Sequence, residues 1–369
     1  MKITFVLPFA GLSGGVRVAA IYAEKLQQMG HDVFAVSLPP DPVPWKRQLK
    51  SVLSGKGWIK NVGQPSHFDG RAVNHHVLTE RRAIAAKDVP DADVVVATWW
   101  ETAEWVNRFP ASKGTKVYFI QHHETLIDPD SSDRVMATYY MPMHKITISK
   151  WLLELMGERY GDNQVSLVLN SVDTDQFNAP RRGRQTKPTV GLLYSSIFWK
   201  GCDVSFKALE IVRQQFPDLQ LVTFGNELFA EQLPSYGRYS FRPAQDIIRT
   251  LYASCDVWVC GSRSEGFCLP LLEAMACRCP VVSTATGGAS DIIRDGVNGY
   301  LVQVEDSEAL AKRIIQVLQL SEPDWQRMSD AAYNQALSYS WDDAAQLFEK
   351  ALEQAIQRDQ RSVSELTSR

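Results

Sequence analysis

Short apolar runs alternate with helical-period segments along almost the whole chain. No other feature restricts the fold so far, because this alternation belongs to parallel strands covered by helices. The first cycle is complete by Leu38: KITFVLP reads as a strand and is followed by a glycine loop. VRVAAIYAEKLQQMG then has apolar residues at helical spacing and is closed by Gly30, and DVFAVSL is the next strand. Further strands are expected at ADVVVAT, KVYFIQ, KITIS and VSLVLN.

The periodicity stops once, in NSVDTDQFNAPRRGRQTKP, where polar residues, Gly and Pro take over for about the length of a linker. It then restarts with TVGLLYS, the helix DVSFKALEIVRQQF, LQLVTFG, RYSFR, the helix QDIIRTLYASC, DVWVCGS, PVVSTAT and GYLVQVE, without a residue-level repeat of the first series. At 369 residues the chain is also too long for one ordinary core. The expected fold class is therefore α/β, with two Rossmann-like doubly wound parallel-sheet domains. Residues 1–172 form the first, 173–188 the linker and 189–340 the second. Residues 341–369 form a helical tail: WDDAAQLFEKALEQAIQ carries an apolar stripe that needs a surface to cover, and the last ten residues are expected to fray.

Composition removes several classes of partner. Lys+Arg minus Asp+Glu is 39 − 42 = −3, so no global positive field argues for nucleic acid. The apolar run in MKITFVLPFAGLSGG is too short to span a bilayer. Its glycines and the lack of a small-residue cleavage pattern argue against a signal peptide, and a cytoplasmic protein is expected. Cys202, Cys255, Cys260, Cys268, Cys277 and Cys279 are then expected as reduced thiols. Cys277 and Cys279 lack a C-x-x-C partner or a nearby histidine, which favours buried small apolar residues over zinc ligands.

Two open α/β sheets place their ligand loops at the carboxyl ends of the strands, and facing domains make a cleft. SRSEGFCLPLLEAMACRCPVV puts Glu265 on the loop after one such strand and Glu273 about one turn into the following helix. Gly266 permits a tight turn, and Pro270 suits the helix's first turn. A carboxylate has two acceptor oxygens, which match vicinal hydroxyls of a ribose or a hexose. Alone, the two glutamates read more plainly as a solvated loop charge and a helix-N-terminal acid held by the dipole than as a sugar grip. Their neighbours shift that balance. Gly287 and Gly288 can turn backbone N–H groups toward an anion, and Lys200 stands just past another strand end, where an ammonium meets phosphate. Hydroxyl acceptors and phosphate donors along one sheet edge suit a nucleoside-diphosphate sugar.

Two first-domain strand ends carry further polar groups. KVYFIQHHETLI places Gln121, His122, His123 and Glu124 there, and VVVATWWETAEW places Trp99, Trp100, Glu101 and Thr102. Glu101, His123 and Glu124 are candidates for an acceptor side; loop hydrogen bonding and core edge are the plainer readings. Adjacent histidines point apart, which disfavours a metal. Residues 42–68 hold Lys46, Arg47, Lys50, Lys56 and Lys60 with no Asp or Glu, and Trp45 and Trp58 lie between them. Such a segment can rest on anionic lipid or hold a lipid-diphosphate acceptor, or it is a plain basic insertion.

SGGV, VLNSVDTDQF, Lys200 with Gly201, the E-x7-E block, TGGASDIIRDGVNGYLV and SWDDAAQLF together resemble the family-4 glycosyltransferases, retaining enzymes of the two-domain GT-B fold, over nearly the whole chain. The resemblance implies a catalytic set of Glu265, His122 and Lys200. Glu265 would contact sugar hydroxyls, Glu273 ribose hydroxyls and Lys200 the diphosphate, with His122 near the reacting sugar. Gly14, Gly15, Gly266, Phe267, Gly287 and Gly288 would line the donor, and the tail helix would cross back to the first domain. It implies metal-independent transfer without a cofactor, the nucleotide sugar being co-substrate, to a glycan or lipid-linked glycan; the basic segment 42–68 is what would set the protein at the inner face of a membrane. The chain departs from the family pattern in three places. Ser195 stands where an arginine commonly partners the lysine, which leaves Arg17 and Arg263 as candidate replacements; Ser171 replaces a glycine and Asp291 a glutamate. A GT-B nucleotide-sugar epimerase and a non-catalytic nucleotide-sugar-binding homologue are the alternatives. GLSGGV is not the G-x-G-x-x-G of a dinucleotide enzyme.

Overall fold

The computed structural model describes residues 1–40, 43–59, 65–127 and 129–367. Runs of buried β-branched and aromatic residues form the strands. β1 (Lys2–Leu7), β2 (Asp32–Ser37), β3 (Asn74–Val77), β4 (Val94–Ala97), β5 (Thr115–Ile120), β6 (His144–Thr147) and β7 (Ser166–Leu167) make one parallel sheet in the order β3-β2-β1-β4-β5-β6-β7. β8 (Thr189–Leu193), β9 (Gln220–Gly225), β10 (Gly237–Phe241), β11 (Val257–Cys260), β12 (Val281–Thr284) and β13 (Gly299–Val302) make the second, in the order β10-β9-β8-β11-β12-β13. Parallel sheets need cover on both faces, and all four residues of β4 and of β12 are buried accordingly.

The cover is α1 (Gly14–Gln28), α2 (Trp45–Leu53), α3 (Trp100–Asn107), α4 (Ser132–Tyr139) and α5 (Lys150–Tyr160) in the first half. In the second it is α6 (Cys202–Gln215), α7 (Gln245–Ala253), α8 (Leu269–Ala276), α9 (Ala289–Ile292), α10 (Ser307–Leu318), α11 (Glu322–Leu337) and α12 (Trp341–Thr367). Strand order reverses beside the first strand of each sheet, between β1 and β4 and between β8 and β11. Such reversals leave a crevice at the carboxyl ends of the strands, where ligands of open α/β sheets bind.

β3 escaped the sequence reading because NHHV has no apolar alternation; it is an edge strand held by its pairing with β2. VSLVLN contributes only Ser166 and Leu167 to its ladder, and beyond them the bonds from Val168 N to Thr147 O (2.8 Å) and Asn170 N to Ile148 O (3.4 Å) lead the chain away toward the second domain.

The apolar stripe of α12 finds its surface on the first domain. Phe348 stacks on Tyr22 at 4.5 Å between ring centroids and meets Phe119 edge-on at 5.0 Å, while Trp341 meets Tyr22 edge-on at 5.5 Å. Lys25 to Asp342 (2.6 Å) and His31 to Glu349 (2.7 Å) flank that seam. The helix extends to Thr367 in a stretch that contains no Gly or Pro. The chain therefore crosses between the domains twice, once after β7 and once before α12.

Candidate active site

The reversal in the second sheet sets the lysine beside the first glutamate. Residues 195–200 follow β8 and residues 261–268 follow β11. At Gly201, whose φ is +58°, a Cβ would lie 1.9 Å from the Gly261 carbonyl oxygen, so the two loops touch and only glycine fits. Lys200 Nζ donates to both oxygens of Glu265, at 3.0 and 2.9 Å, and Ser262 Oγ donates to Oε1 at 2.7 Å. Glu265 is buried and Lys200 partly exposed. Burial opposes the lysine's charge, but the adjacent carboxylate outweighs it and the pKa is raised.

Glu273 is gripped from both domains. Tyr252 OH donates to its Oε2 at 2.7 Å, and Arg17 Nη1, projecting from α1, donates to its Oε1 at 2.5 Å. The guanidinium also lies 5.4 Å from the centre of the Phe177 ring. Burial again works against the charge, Glu273 outweighs it, and the arginine's pKa is raised. Arg17 reaches this position because Ser13 caps α1, with its Oγ accepting from Val16 N at 3.4 Å, and the glycine pair forms the first turn. A Cβ on Gly14 would meet nothing within 4 Å, which leaves that turn open. Gly15 O accepts from Gln121 Nε2 at 3.2 Å.

Several contacts close the cleft. Trp151 Nε1 donates to Gly266 O at 2.9 Å, Asn226 Nδ2 donates to Leu12 O at 3.3 Å, and Lys150 N, at the start of α5, donates to Asp291 Oδ2 at 2.9 Å. Asp291 thus accepts from the first backbone N–H of a first-domain helix. Gly266 is pressed against the first domain so closely that a Cβ would lie 1.9 Å from Gln121 O.

His122 bridges the same seam. Its Nδ1 lies 3.0 Å from the His123 carbonyl, which can only accept, so Nδ1 carries the proton. Nε2 then accepts from Ser264 Oγ at 3.4 Å. Burial lowers the imidazole's pKa, which keeps the ring neutral near neutral pH.

Two of the acceptor-side candidates turn away from this seam. His123 turns into the first-domain core, 2.8 Å from Tyr160 OH, and burial takes its pKa down to about 4. Glu124 is fully buried: its Oε2 accepts from Trp100 N (2.8 Å) and Tyr118 OH (3.1 Å), tying the end of β5 to the start of α3, and burial pushes its pKa up to about 8. Neither side chain faces the cleft, because the N-terminus of α3 and the tyrosines offer them partners inside. Glu101 occupies the first turn of α3. Arg263 is held by Asp203 (2.7 and 2.8 Å) and Glu305, with Phe198 4.1 Å away, and so is engaged locally on the second domain.

Ser195 N donates to Cys202 Sγ at 3.3 Å, and its hydroxyl accepts from Ile197 N at 3.3 Å. Phe267 is buried against Tyr339. Gly287 (φ +55°) and Gly288 are required chiefly by packing, since a Cβ on the first would lie 2.3 Å from Glu265 O and on the second 2.6 Å from Phe267 Cδ2. All six cysteines are free thiols, and Cys277 and Cys279 are buried.

Tyr252, Trp151, Asn226 and Ser262 were not anticipated, and Gln121, expected at its strand end, had been given no role. Tyr252 and Trp151 contact residues 21 and 115 positions away, and no local signal marks such a partner.

Two parallel-sheet domains closing on one cleft in this strand order make a GT-B fold. Solved structures share it: the Anabaena protein HepE, in complex with UDP and glucose, is similar at a TM-score of 0.75 and 17% identity, over 96% of this chain and 99% of that one. Sucrose-phosphate synthase from Thermosynechococcus elongatus is similar at a TM-score of 0.73 and 15% identity, over 96% and 98%. Within the chain, residues 175–335 match the family described as Glycosyl transferases group 1. The D-inositol 3-phosphate glycosyltransferase of Mycobacterium avium is 30% identical over 198 residues, 48% of this chain and 46% of that protein. The chain spans about half the length of the curated relatives it matches.

Proposed function

We propose that the protein is a retaining, metal-independent glycosyltransferase that moves a hexose-type sugar from a nucleoside-diphosphate sugar to a hydroxyl of a glycan or lipid-linked acceptor. The supporting observation is the Lys200–Glu265 pair at the strand-order reversal, one loop and one helical turn from Glu273. In this reading Glu273 takes the ribose hydroxyls and Glu265 orients the sugar. Lys200, released from Glu265 by the incoming diphosphate, stabilises the negative charge of the leaving group, the electrostatic contribution that usually dominates. With Arg263 committed to Asp203 and Glu305, Arg17 is the better-placed substitute for the arginine absent at Ser195. The acceptor hydroxyl attacks on the face the diphosphate leaves, a phosphate oxygen takes its proton, and the closed cleft keeps water from the donor.

The matched residues 175–335 and the glycosyltransferase relatives support the donor half of this reading. A panel of nucleotide sugars and glycan acceptors tests it: nucleoside diphosphate should be released together with a glycosylated product, and only efficiently when acceptor is present. Epimerised donor without acceptor would replace this reading with an epimerase, and binding without release would replace it with a non-catalytic homologue, the reading that Ser195 keeps in view.

The acceptor side of the proposal includes a membrane surface. α2 buries Gln48 and Ser51 and turns Trp45 (70% exposed) and Leu53 (78%) outward, with Trp58 (71%) beyond it. Gln48 exchanges hydrogen bonds with Ile59 O (2.7 Å) and N (2.9 Å), which fixes the polar side inward. Two of the basic residues serve the cleft instead: Lys50 pairs with Glu231 on the second domain, and Lys56 Nζ donates to Leu228 O at 3.2 Å. Lys60 and the rest of residues 60–64 lie outside the described residues, as does residue 42. Among the described residues no helix is long and apolar enough to cross a membrane. Anionic vesicles should sediment the protein at low salt, and the double substitution Lys46→Ala, Arg47→Ala should weaken that by about 2 kcal/mol, roughly 30-fold; unchanged sedimentation would remove the membrane from the account.

A further inference from the structure

Two thiols stand at the ends of the loop that carries Glu265. β11 ends at Cys260, α8 is capped by Cys268, and their sulfurs are 3.4 Å apart. We propose that Cys260 and Cys268 form an oxidisable dithiol, which a peroxide converts to an intramolecular disulfide, and that this modification resets the loop holding Glu265. A disulfide needs about 2.05 Å between sulfurs, so each has less than about 1 Å to travel. Cys268 sits at φ +72°, a left-handed backbone that non-glycine residues seldom adopt, and from there its sulfur meets Cys260. Cys260 is the one cysteine residue that is only half-buried, the other five being buried, so of the two thiols Cys260 is the less enclosed and the first to meet a small oxidant such as a peroxide. The contact with Cys268 lowers the Cys260 pKa, which favours the attacking thiolate.

The chemistry balances without a metal. The Cys260 thiol gives up its proton and the thiolate attacks one peroxide oxygen; the O–O bond breaks, a sulfenic acid forms, and the other oxygen leaves as hydroxide or alkoxide, which takes up that proton to become water or an alcohol. Cys268 sulfur then attacks the Cys260 sulfur, and the hydroxyl departs with the Cys268 proton as a second water. The two thiols lose two electrons and the peroxide gains them. Cys260, Cys268 and a Glu265 oxygen also lie within 4.8 Å of one another, but a cation bound there would have to take Glu265 from Lys200, whereas the disulfide leaves that ion pair its charges.

The loop responds because Cys260 is wired into it. Cys260 Sγ lies 3.3 Å from Ser262 Oγ, and Ser262 Oγ donates to Glu265 Oε1 at 2.7 Å. Oxidation removes the S–H and draws Cys260 Sγ toward Cys268, so Ser262 and then Glu265 must re-aim. The consequence for turnover rests on the donor reading above, whereas the disulfide does not.

The test uses the whole reduced protein with a metal chelator present. It is exposed to hydrogen peroxide, quenched by alkylation, and read by peptide mapping and by hydrogen exchange. The expected result is a linkage between the peptides of Cys260 and Cys268 that dithiothreitol reverses and that Cys260→Ser and Cys268→Ala each abolish, with altered exchange across residues 261–267 in the oxidised protein. Turnover of the nucleotide sugar should fall about 10- to 100-fold on oxidation, the scale of a misplacement near 1 Å, and return on reduction. Both thiols still alkylated after peroxide, or a linkage through other cysteines, overturns the dithiol. A Cys260–Cys268 linkage with unchanged exchange overturns the effect on the loop. Absence of turnover in both redox states counts against the transferase reading alone, because linkage and exchange still decide the proposal.

Discussion

Lys200→Met is expected to lower acceptor-dependent turnover by about 10²–10³-fold, the loss of about 2.7–4 kcal/mol that follows removal of one preorganised donor from a developing anion. The reason is positional. Lys200 is on one of two loops that meet at the strand-order reversal, and Gly201 lets them meet so closely that the ammonium reaches both oxygens of Glu265. Its charge is therefore in place before a donor arrives, and no reorganisation is required at the moment of bond cleavage. Because the interaction strengthens as the diphosphate leaves, the loss should fall on kcat and on kcat/KM together rather than on KM alone. Steady-state kinetics with saturating acceptor measures it. A Lys200→Met protein within tenfold of wild type would place the leaving-group charge elsewhere, with Arg17 the first group to examine.

Gly266→Ala should cost at least about 100-fold in kcat/KM by a different route, since a misplacement near 1 Å at a reacting centre has that effect. The atom that a methyl group would meet is a backbone carbonyl, Gln121 O at 1.9 Å, and it cannot swing aside as the tip of a side chain would. Relief requires the domains to part, which breaks the bond from Trp151 to Gly266 O and stretches the one from Arg17 to Glu273. Nucleotide affinity should fall much less than turnover, because Lys200, Glu265 and Glu273 all belong to the second domain. Hydrogen exchange reports the parting directly, through faster exchange at the amides around Gln121 and Trp151. Exchange and kinetics like those of wild type would show that the seam around Gly266 is not part of the working state.

What was legible in the sequence was whatever a residue's immediate surroundings determine. Strands such as VVVA and VVST announce themselves because both faces are buried, whereas NHHV depends on a neighbour for its conformation and announces nothing. Lys200, Glu265 and Glu273 could be placed because strand ends can be counted. Partners could not: Arg17 and Arg263 look equally suitable as sequence, and only the folded chain brings Arg17 to a carboxylate 256 residues away while Asp203 and Glu305 engage Arg263. His122 and His123 had to point apart, but which of them faces the cleft depends on where Tyr160 and Ser264 lie. Glu124 was read as an acid at a ligand-bearing strand end. The backbone N–H of Trp100 claims it instead, a demand that arises only when α3 packs beside β5.

The central claim is that a nucleoside diphosphate lies along the edge defined by Lys200, Glu265 and Glu273, and a structure of the protein with UDP, GDP, dTDP or ADP bound tests it most directly. The account predicts ribose hydroxyls on the Glu273 carboxylate, phosphate oxygens within hydrogen-bonding distance of Lys200 Nζ, and the Arg17 guanidinium shared with or moved toward the phosphates. A nucleotide seated elsewhere, with the Lys200–Glu265 and Arg17–Glu273 pairs undisturbed, would contradict it.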